Sequence, residues 1–285
     1  MQKPSVSIVI PAYNEEGQLA LCLDAIARQT VKPLEVIVVD NNSTDGTVAV
    51  ASRYPFVNLL REPKQGPVYA RDRGFNAARG EVIGRLDADS IIAPDWVETV
   101  TRIFADRLIN AASGQMIYRN VAMPWLFDAI DRRVRRYLSV KMGSYGEQFL
   151  LGSNMAIRRS AWRKVRDEVC HERRLHEDID LACHLAGPDS GVVFRPEMIV
   201  SQDWRQAAAG PRPFLRHVWS NFWVPAYHDI KSRRYAWRVA LIVSLLYVPI
   251  HLLYKGYDPS AKRFSLMYLL ANNSAVRPSP VSESL

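Results

Sequence analysis

Cysteine is scarce in this 285-residue chain: Cys22, Cys170 and Cys183 are widely spaced and form no C-x-x-C pair. An odd, scattered set excludes a disulfide framework and a zinc ribbon, and it suits a reducing compartment. Glycine-rich phosphate loops are missing as well. No G-x-G-x-x-G follows the first apolar run, and only Gly17 lies near Pro11–Glu16, which disfavours a dinucleotide-dependent dehydrogenase and a sugar nucleotidylyltransferase. A long apolar run is also lacking. Val239–Tyr254 carries no formal charge but falls short of the ~20 residues of a perpendicular membrane span, and it contains Pro249 and His251. It reads as a kinked, re-entrant or interface-lying segment, as a span, or as a buried core helix. At the N-terminus a single basic residue, Lys3, precedes the apolar run Val6–Ile10, which Pro11 stops; that is too short for a signal-peptide core, so the catalytic part is expected to stay in the cytosol. No internal repeat is visible.

What the chain does contain is a hydrophobic fraction of 48% against 23% charged residues, enough for one large α/β domain with an appendage. Its formal charge of +8 fits an anionic lipid, a phosphorylated substrate or nucleic acid, but no recognition motif supports the last, so no nucleic-acid partner is expected. From Val6 to Leu86 apolar runs alternate with polar turns and helical stretches, the pattern of βαβ units around a parallel sheet. Strands are expected over Val6–Pro11, Glu35–Asp40, Val57–Leu60 and Val82–Asp87, and helices over Gln18–Arg28, Thr47–Arg53, Val68–Ala78 and Pro94–Ala105, the last opening on its proline. In such sheets ligands gather beyond the carboxyl ends of the strands. Those ends carry Tyr13-Asn14-Glu15, Asp40-Asn41-Asn42 and Asp87-Ala88-Asp89.

The second half is expected to hold an arginine-rich amphipathic helix over Trp125–Lys141, an apolar run Gln148–Ile157 readable as a strand, a helix Glu177–Ala186 and a strand Val192–Pro196. Aromatic and basic residues then interleave from Arg205 to Arg238, ahead of the uncharged run. That arrangement suits an anionic cytoplasmic leaflet, so a membrane-surface partner is expected. The division that follows is a catalytic domain over 1–205, with halves at about 1–106 and 107–205, a membrane-associating segment over 206–272 and a disordered tail over 273–285.

Asp87 and Asp89 directly follow the strand Val82–Leu86, and two carboxylates there can hold a hard divalent ion that also binds substrate phosphates. The same triplet reads equally as a helix cap or Asx-turn. Context narrows the choice. The stretches Val6-Ser-Ile-Val-Ile-Pro-Ala-Tyr-Asn-Glu-Glu16, Glu35-Val-Ile-Val-Val-Asp-Asn-Asn-Ser-Thr-Asp-Gly-Thr47, Gly66-Pro-Val-Tyr-Ala-Arg-Asp-Arg-Gly74 and Ala78-Arg-Gly-Glu81 precede the Asp pair in a fixed order. This succession, over roughly residues 5 to 205, resembles the family 2 glycosyltransferases, whose catalytic domain has the GT-A fold, a Rossmann-like, mostly parallel α/β sheet with flanking helices.

The resemblance implies an inverting transfer of a sugar from a nucleotide-sugar donor, with a UDP-sugar favoured, to a glycan or lipid-linked acceptor, with Mg²⁺ or Mn²⁺ as cofactor. It implies that Pro11, Tyr13 and Glu15 line the nucleoside pocket, Asp40 accepts a hydrogen bond from the base, Gly66 and Arg71 flank the nucleotide, Asp87 contacts ribose or metal and Asp89 ligates the metal. Asp45 reads as a turn or helix-cap residue. Further on, Gly152-Ser-Asn154 borders the acceptor and Asp178, beside Glu177, matches the general base. An acceptor hydroxyl does need such a group within hydrogen-bond reach, although Glu177, Asp178 and Asp180 also suit a helix N-terminus through its dipole. The chain departs from the family in having Asp72 for Asn, Ser90 for an acidic residue, and Ser201-Gln-Asp-Trp-Arg205 where a late histidine is usual. Gln202 or Asp203 are candidate substitutes, neither assigned as a ligand. His171 and His176 lie near the base in sequence and read as acceptor contacts or surface residues. The rival reading from another class is a non-catalytic membrane-bound scaffold, against which the joint presence of Asp87, Asp89, Glu177 and Asp178 argues.

Overall fold

The computed structural model describes residues 3–119, several positions between 121 and 137, then 150–172, 175–186, 190–203, 211–228, 233–258, 261 and 263–266. Most of the helix expected over Trp125–Lys141, the start of the run Gln148–Ile157 and the tail 273–285 lie outside them.

The first half alternates as its hydrophobic pattern requires. Strands β1 (Val6–Ala12), β2 (Glu35–Asp40), β3 (Val57–Arg61) and β4 (Val82–Leu86) alternate with helices α1 (Leu19–Ala27), α2 (Thr47–Ala51) and α3 (Pro67–Ala77). Leu19, Cys22, Leu23 and Ile26 recur at helical spacing and are the buried stripe of α1. Pro67 opens α3, where the missing amide hydrogen costs nothing, behind Gly66 at φ +144°. These four strands are parallel, in the order β3-β2-β1-β4. They are covered on both faces, which explains why β1, β2 and β4 are almost continuous apolar runs. Ile8 and Ile10 of β1 enter one core layer and Val9 the other.

The second half continues the same sheet: β5 (Ile91–Ile92), α4 (Trp96–Ile103), β6 (Ala111–Arg119), β7 (Asn154–Arg158), α5 (Arg159–Val165), α6 (Glu177–His184) and β8 (Val192–Asp203). β7 inserts antiparallel between β4 and β6, β8 runs parallel to β6, and β5 closes the edge antiparallel to β8, giving one eight-stranded sheet. Three expectations are corrected here. Pro94 does not open α4: its carbonyl accepts the Thr30 amide at 2.9 Å and a turn joins Trp96 to Ala93, so the helix starts at Trp96. β8 does not stop at Pro196 but runs on to Asp203, because the register against β6 jumps from Arg195 to Ile199 and the proline sits in the irregularity. β7 starts only at Asn154.

Three helices follow, α7 (Pro211–Tyr227), α8 (Arg233–Leu245) and α9 (Tyr247–Gly256). Phe214 and Val218 of α7 and Ala240 of α8 form a small cluster of their own. Among the described residues no single helix is long and apolar enough to cross a membrane; Trp237–Leu245 and Tyr247–Gly256 reach that composition only together, bent by 51°.

Candidate active site

The carboxyl ends of β1, β2 and β4 converge as the strand order demands. At the rim Tyr13 is half exposed, Pro11 and Glu15 are partly exposed, and Asp40 is buried. The Glu15 amide donates to Thr47 Oγ1 at 2.8 Å, and Asp40 Oδ1 accepts the Ser43 amide at 3.1 Å. Asn41, a residue that sequence reasoning passed over, organises this rim. Its side-chain amide donates to the Glu62 and Lys64 carbonyls at 2.9 and 2.7 Å, and its Oδ1 accepts the Gly66 amide at 2.7 Å. Asp45, expected as a turn or helix-cap residue, proves to be a turn residue: Gly46 occupies the cap of α2, and Asp45 Oδ1 accepts both the amide and the hydroxyl of Thr47.

Beneath the rim lies the acidic centre. Asp89 is buried and its Oδ1 accepts a hydrogen bond from Gln202 Nε2, so β8 brings Gln202, and not Asp203, to the Asp pair; Asp203 turns to Arg119 at 3.4 Å. The Asp87 side chain keeps 37% of its surface accessible. Its carboxyl pKa is pushed up to about 6, chiefly by desolvation, with the charges of Asp89, Glu177 and Asp178 adding to the rise and Arg85 opposing it. Cys22, behind the pair, reports the same field: burial first, then Asp89, Asp87 and Glu15, drives its thiol pKa up. Carboxylates therefore outnumber the local cation, the condition a divalent ion relieves.

That cation is Arg85, on β4, which sequence reasoning also missed. Its Nη2 lies 2.8 Å from Glu177 Oε1 and 3.1 Å from Asp87 Oδ1. Burial works against its charge, but Asp87, Glu177, Asp178 and Asp89 outweigh burial and raise its pKa further. An isolated arginine in an apolar strand was the available signal. Gly152 makes room for it, since a Cβ there would fall 1.5 Å from Arg85 Nη1. The Gly152 amide also donates to Asp178 Oδ2 at 2.8 Å, while Asp178 Oδ1 accepts the Ile179 amide at 2.8 Å. Burial would raise the Asp178 pKa, but His176, Arg85 and these two amides together lower it, so the carboxylate stays ionised at neutral pH.

Two predicted contact residues are placed elsewhere. Arg71 is fully buried: its guanidinium donates to the Glu177 carbonyl and, at 2.8 Å, to Asp72 Oδ1, and it lies 5.5 Å from the Trp162 ring centre. It braces the start of α6 from within the protein. Asn154 is fully buried too. Its amide donates to the Gln115 and Met198 carbonyls at 2.9 and 2.8 Å, and its Oδ1 accepts the Trp96 indole N–H at 2.9 Å. It stitches β7 to β6 and β8, with its side chain spent on internal hydrogen bonds. His171 rests on Asp72 at 2.9 Å and stacks on Tyr69 at 5.2 Å between ring centres.

With this geometry in view, the sequence pattern of glycosyl transferase family 2 matches residues 7–166, more than half of the chain. The chain belongs to glycosyl transferase family 2. Within the family it is 35% identical over 136 residues to an N-acetylglucosaminyltransferase of Mesorhizobium japonicum, covering 45% of this chain and 32% of that protein. It is 24% identical over 243 residues to the glycosyltransferase GlyA of Streptococcus pneumoniae, covering 80% of this chain and 34% of that one. The chain thus spans about a third of the length of these relatives. The mannosyltransferase PcManGT of Pyrobaculum calidifontis, solved with GDP-Man and Mn²⁺, superimposes with a TM-score of 0.63 at 19% identity, covering 94% of this chain and 78% of that one. The likeness establishes the GT-A fold, a curled, mostly parallel sheet with flanking helices.

Proposed function

We propose that this family 2 protein transfers a sugar from a nucleotide-sugar donor to an acceptor hydroxyl by a single inverting displacement. One observation carries the reading: Arg85 joins Asp87, on the donor side, to Glu177, the neighbour of Asp178, so donor and acceptor carboxylates belong to one electrostatic unit. Pro11, Tyr13, Glu15 and Asp40 surround the nucleoside, the aromatic ring packing on it and Asp40 accepting a base N–H. Asp87 and Asp89 suit Mg²⁺ or Mn²⁺, since the excess carboxylate charge and the raised Asp87 pKa are what such an ion would relieve. When bound, the ion neutralises charge building on the departing diphosphate. Asp178 takes the acceptor proton as the new bond to the anomeric carbon forms and the bond to the diphosphate breaks. The two amides on Asp178 hold its carboxylate in place; each oxygen keeps a lone pair for the incoming proton.

A UDP-sugar is the favoured donor. The acceptor is a lipid-linked or cell-envelope glycan precursor presented at the cytoplasmic face of a membrane. Supporting this are the exposed Ile242, Leu245 and Val248 of the bent α8–α9 pair and the exposed Arg212, Arg216 and Arg238. The test is thermal unfolding with Mn²⁺ against UDP, GDP and dTDP sugars, in the parent and in Asp89→Ala. A ligand at ~100 times its Kd adds about 2.7 kcal/mol. A metal-dependent shift with one nucleotide, lost in the variant, supports the reading; no shift with any donor transfers support to a non-catalytic scaffold. Retained anomeric configuration in the product would refute inversion, and failure to bind anionic vesicles would refute the membrane acceptor.

A further inference from the structure

A second cluster of ligand-type side chains is built on Asp180 and His184 of α6 and shares no residue with the acidic centre. Cys170, Asp180, His184 and His228 each bring one ligand atom to within 4.8 Å of the others. The Cys170 Sγ is 3.9 Å from His184 Nε2 and 3.9 Å from His228 Nε2. Asp180 Oδ1 is 3.6 Å from His184 Nε2 and 2.7 Å from His228 Nε2. We propose that these four residues form a zinc site that pins the C-terminal helices to the catalytic domain.

Spacing carries the argument first. Around tetrahedral zinc, bonds of ~2.3 Å to sulfur and ~2.0 Å to nitrogen or oxygen place ligand atoms about 3.3–3.6 Å apart. Three of the four separations exceed that range by a few tenths of an ångström or meet its upper end, and the Asp180–His228 contact opens by roughly 0.6 Å to admit the ion. The four are therefore gathered around a common point. A His–Asp ion pair alone gives no reason for a second imidazole to face the same carboxylate oxygen and a thiol to lie against both rings.

Orientation is the second, independent support. Zinc ligands are held by outer partners: a histidine turns its other nitrogen to a carboxylate, and a carboxylate is itself hydrogen-bonded. His184 Nδ1 lies 3.9 Å from Glu168 Oε2, an ionic and not a hydrogen-bonding separation. Asp180 Oδ2 accepts the Cys170 amide at 2.9 Å, which leaves Oδ1 aimed at both imidazoles. Asp180 and His184 sit four residues apart on α6 and so share a face, while His228 directly follows α7, its amide bonded to the Val224 carbonyl at 3.1 Å. One thiolate, two imidazoles and one carboxylate form a borderline-soft set that favours zinc over Mg²⁺ or Mn²⁺, the opposite preference to the all-oxygen Asp87–Asp89 pair. Because α6 also carries Glu177 and Asp178 in its first turn, the ion would fix the helix that aims the base.

The experiment is metal analysis and Co²⁺ substitution of the full chain, alongside Cys170→Ser, His228→Ala and, as a control, Cys183→Ser. Expected are about one tightly held zinc per chain, and, after exchange, the visible bands of tetrahedral Co²⁺ with a thiolate charge-transfer band, all kept in Cys183→Ser. Both signals should vanish in the first two variants, and Zn²⁺ should raise the unfolding temperature of the parent but not of Cys170→Ser. If the folded parent, verified by circular dichroism, takes up no zinc or cobalt, or if cobalt binds without thiolate charge transfer, the assignment is wrong. The thiolate band belongs to the parent's spectrum, so a variant that fails to fold does not rescue the idea. Loss of donor binding would bear on the transferase reading alone.

Discussion

Replacing Gly152 by alanine tests the electrostatic unit directly. The new Cβ would lie 1.5 Å from Arg85 Nη1, and real Cβ contacts essentially never fall under 3.0 Å, so the guanidinium must withdraw by the 1.5 Å difference. The clash is with Nη1 and the two contacts are made by Nη2 of the same planar group, so moving the guanidinium as a body by that distance takes its 2.8 and 3.1 Å contacts with Glu177 and Asp87 out of hydrogen-bond reach. Arg85 is buried, so water does not replace what it loses. Breaking a buried ion pair costs ~3–5 kcal/mol, and solvent reaching the half-exposed Asp87 reduces this to roughly 2–3 kcal/mol. Gly152 is not among the positive-φ glycines, so the backbone itself accepts alanine. The assay is a double-mutant cycle with Arg85→Met by urea unfolding, each variant's midpoint giving its stability. Methionine lacks the clashing nitrogens. Gly152→Ala should therefore cost less than ~0.5 kcal/mol in that background. An equal cost in both backgrounds refutes the clash and with it the coupling of Asp87 to Glu177 through Arg85.

The other expectations concern protons, base and frame. The folded pKa of Asp87, about 6, lies above its ordinary value of 3.8, so this group favours the ligand-free fold most below the ordinary value and loses that contribution as pH rises through about 6. Asp87→Asn should then stabilise the ligand-free protein at pH 8 and not at pH 4, and Mn²⁺ binding to the parent should weaken as pH falls through about 6; a pH-independent difference between the two proteins would contradict this. Asp178 is shifted the other way, so its stabilising charge is lost only as pH falls below its ordinary 3.8, and it should not set the acid limb of the rate profile. Asp178→Asn should lower kcat by about 10²–10⁴-fold while the nucleotide-induced thermal shift persists, measured by single-turnover kinetics and melting. Asn154→Leu should cost about 3 kcal/mol, because one indole N–H and two carbonyls lose their partner, with no change in acceptor KM of the remaining folded enzyme.

The donor half was readable because its strands are buried on both faces and each ends in turn-forming polar residues; β1, β2 and β4 lie within one residue of expectation. β6 escaped because Ala111-Ala-Ser-Gly-Gln115 has little of the β-branched bulk that marks a strand, and what makes it one is β7 and β8 on either side. The end of β8 escaped because Pro196 normally stops a strand, and only the register shift against β6 admits it. At the site, carboxylates at the ends of elements stood out in the sequence: Asp87 and Asp89 after β4, and Asp178 in the first turn of α6. Residues acting through contacts made in three dimensions did not: Arg85 and Asn41 were passed over, while Arg71 and Asn154, polar residues next to family motifs, proved to be internal braces. A polar side chain in a motif does not announce whether it faces substrate or carbonyl oxygens.

The antiparallel pairing of β7 with β4 has a mechanical consequence. Leu86 sits opposite Asn154 in that ladder, one residue before Asp87 and two residues after Gly152, whose amide holds Asp178. The spacing between Asp87 and the Asp178 carboxylate is thus referred to one ladder of the sheet. Raising solvent viscosity should slow the arrival and departure of substrates without altering the distance over which the proton and the sugar move.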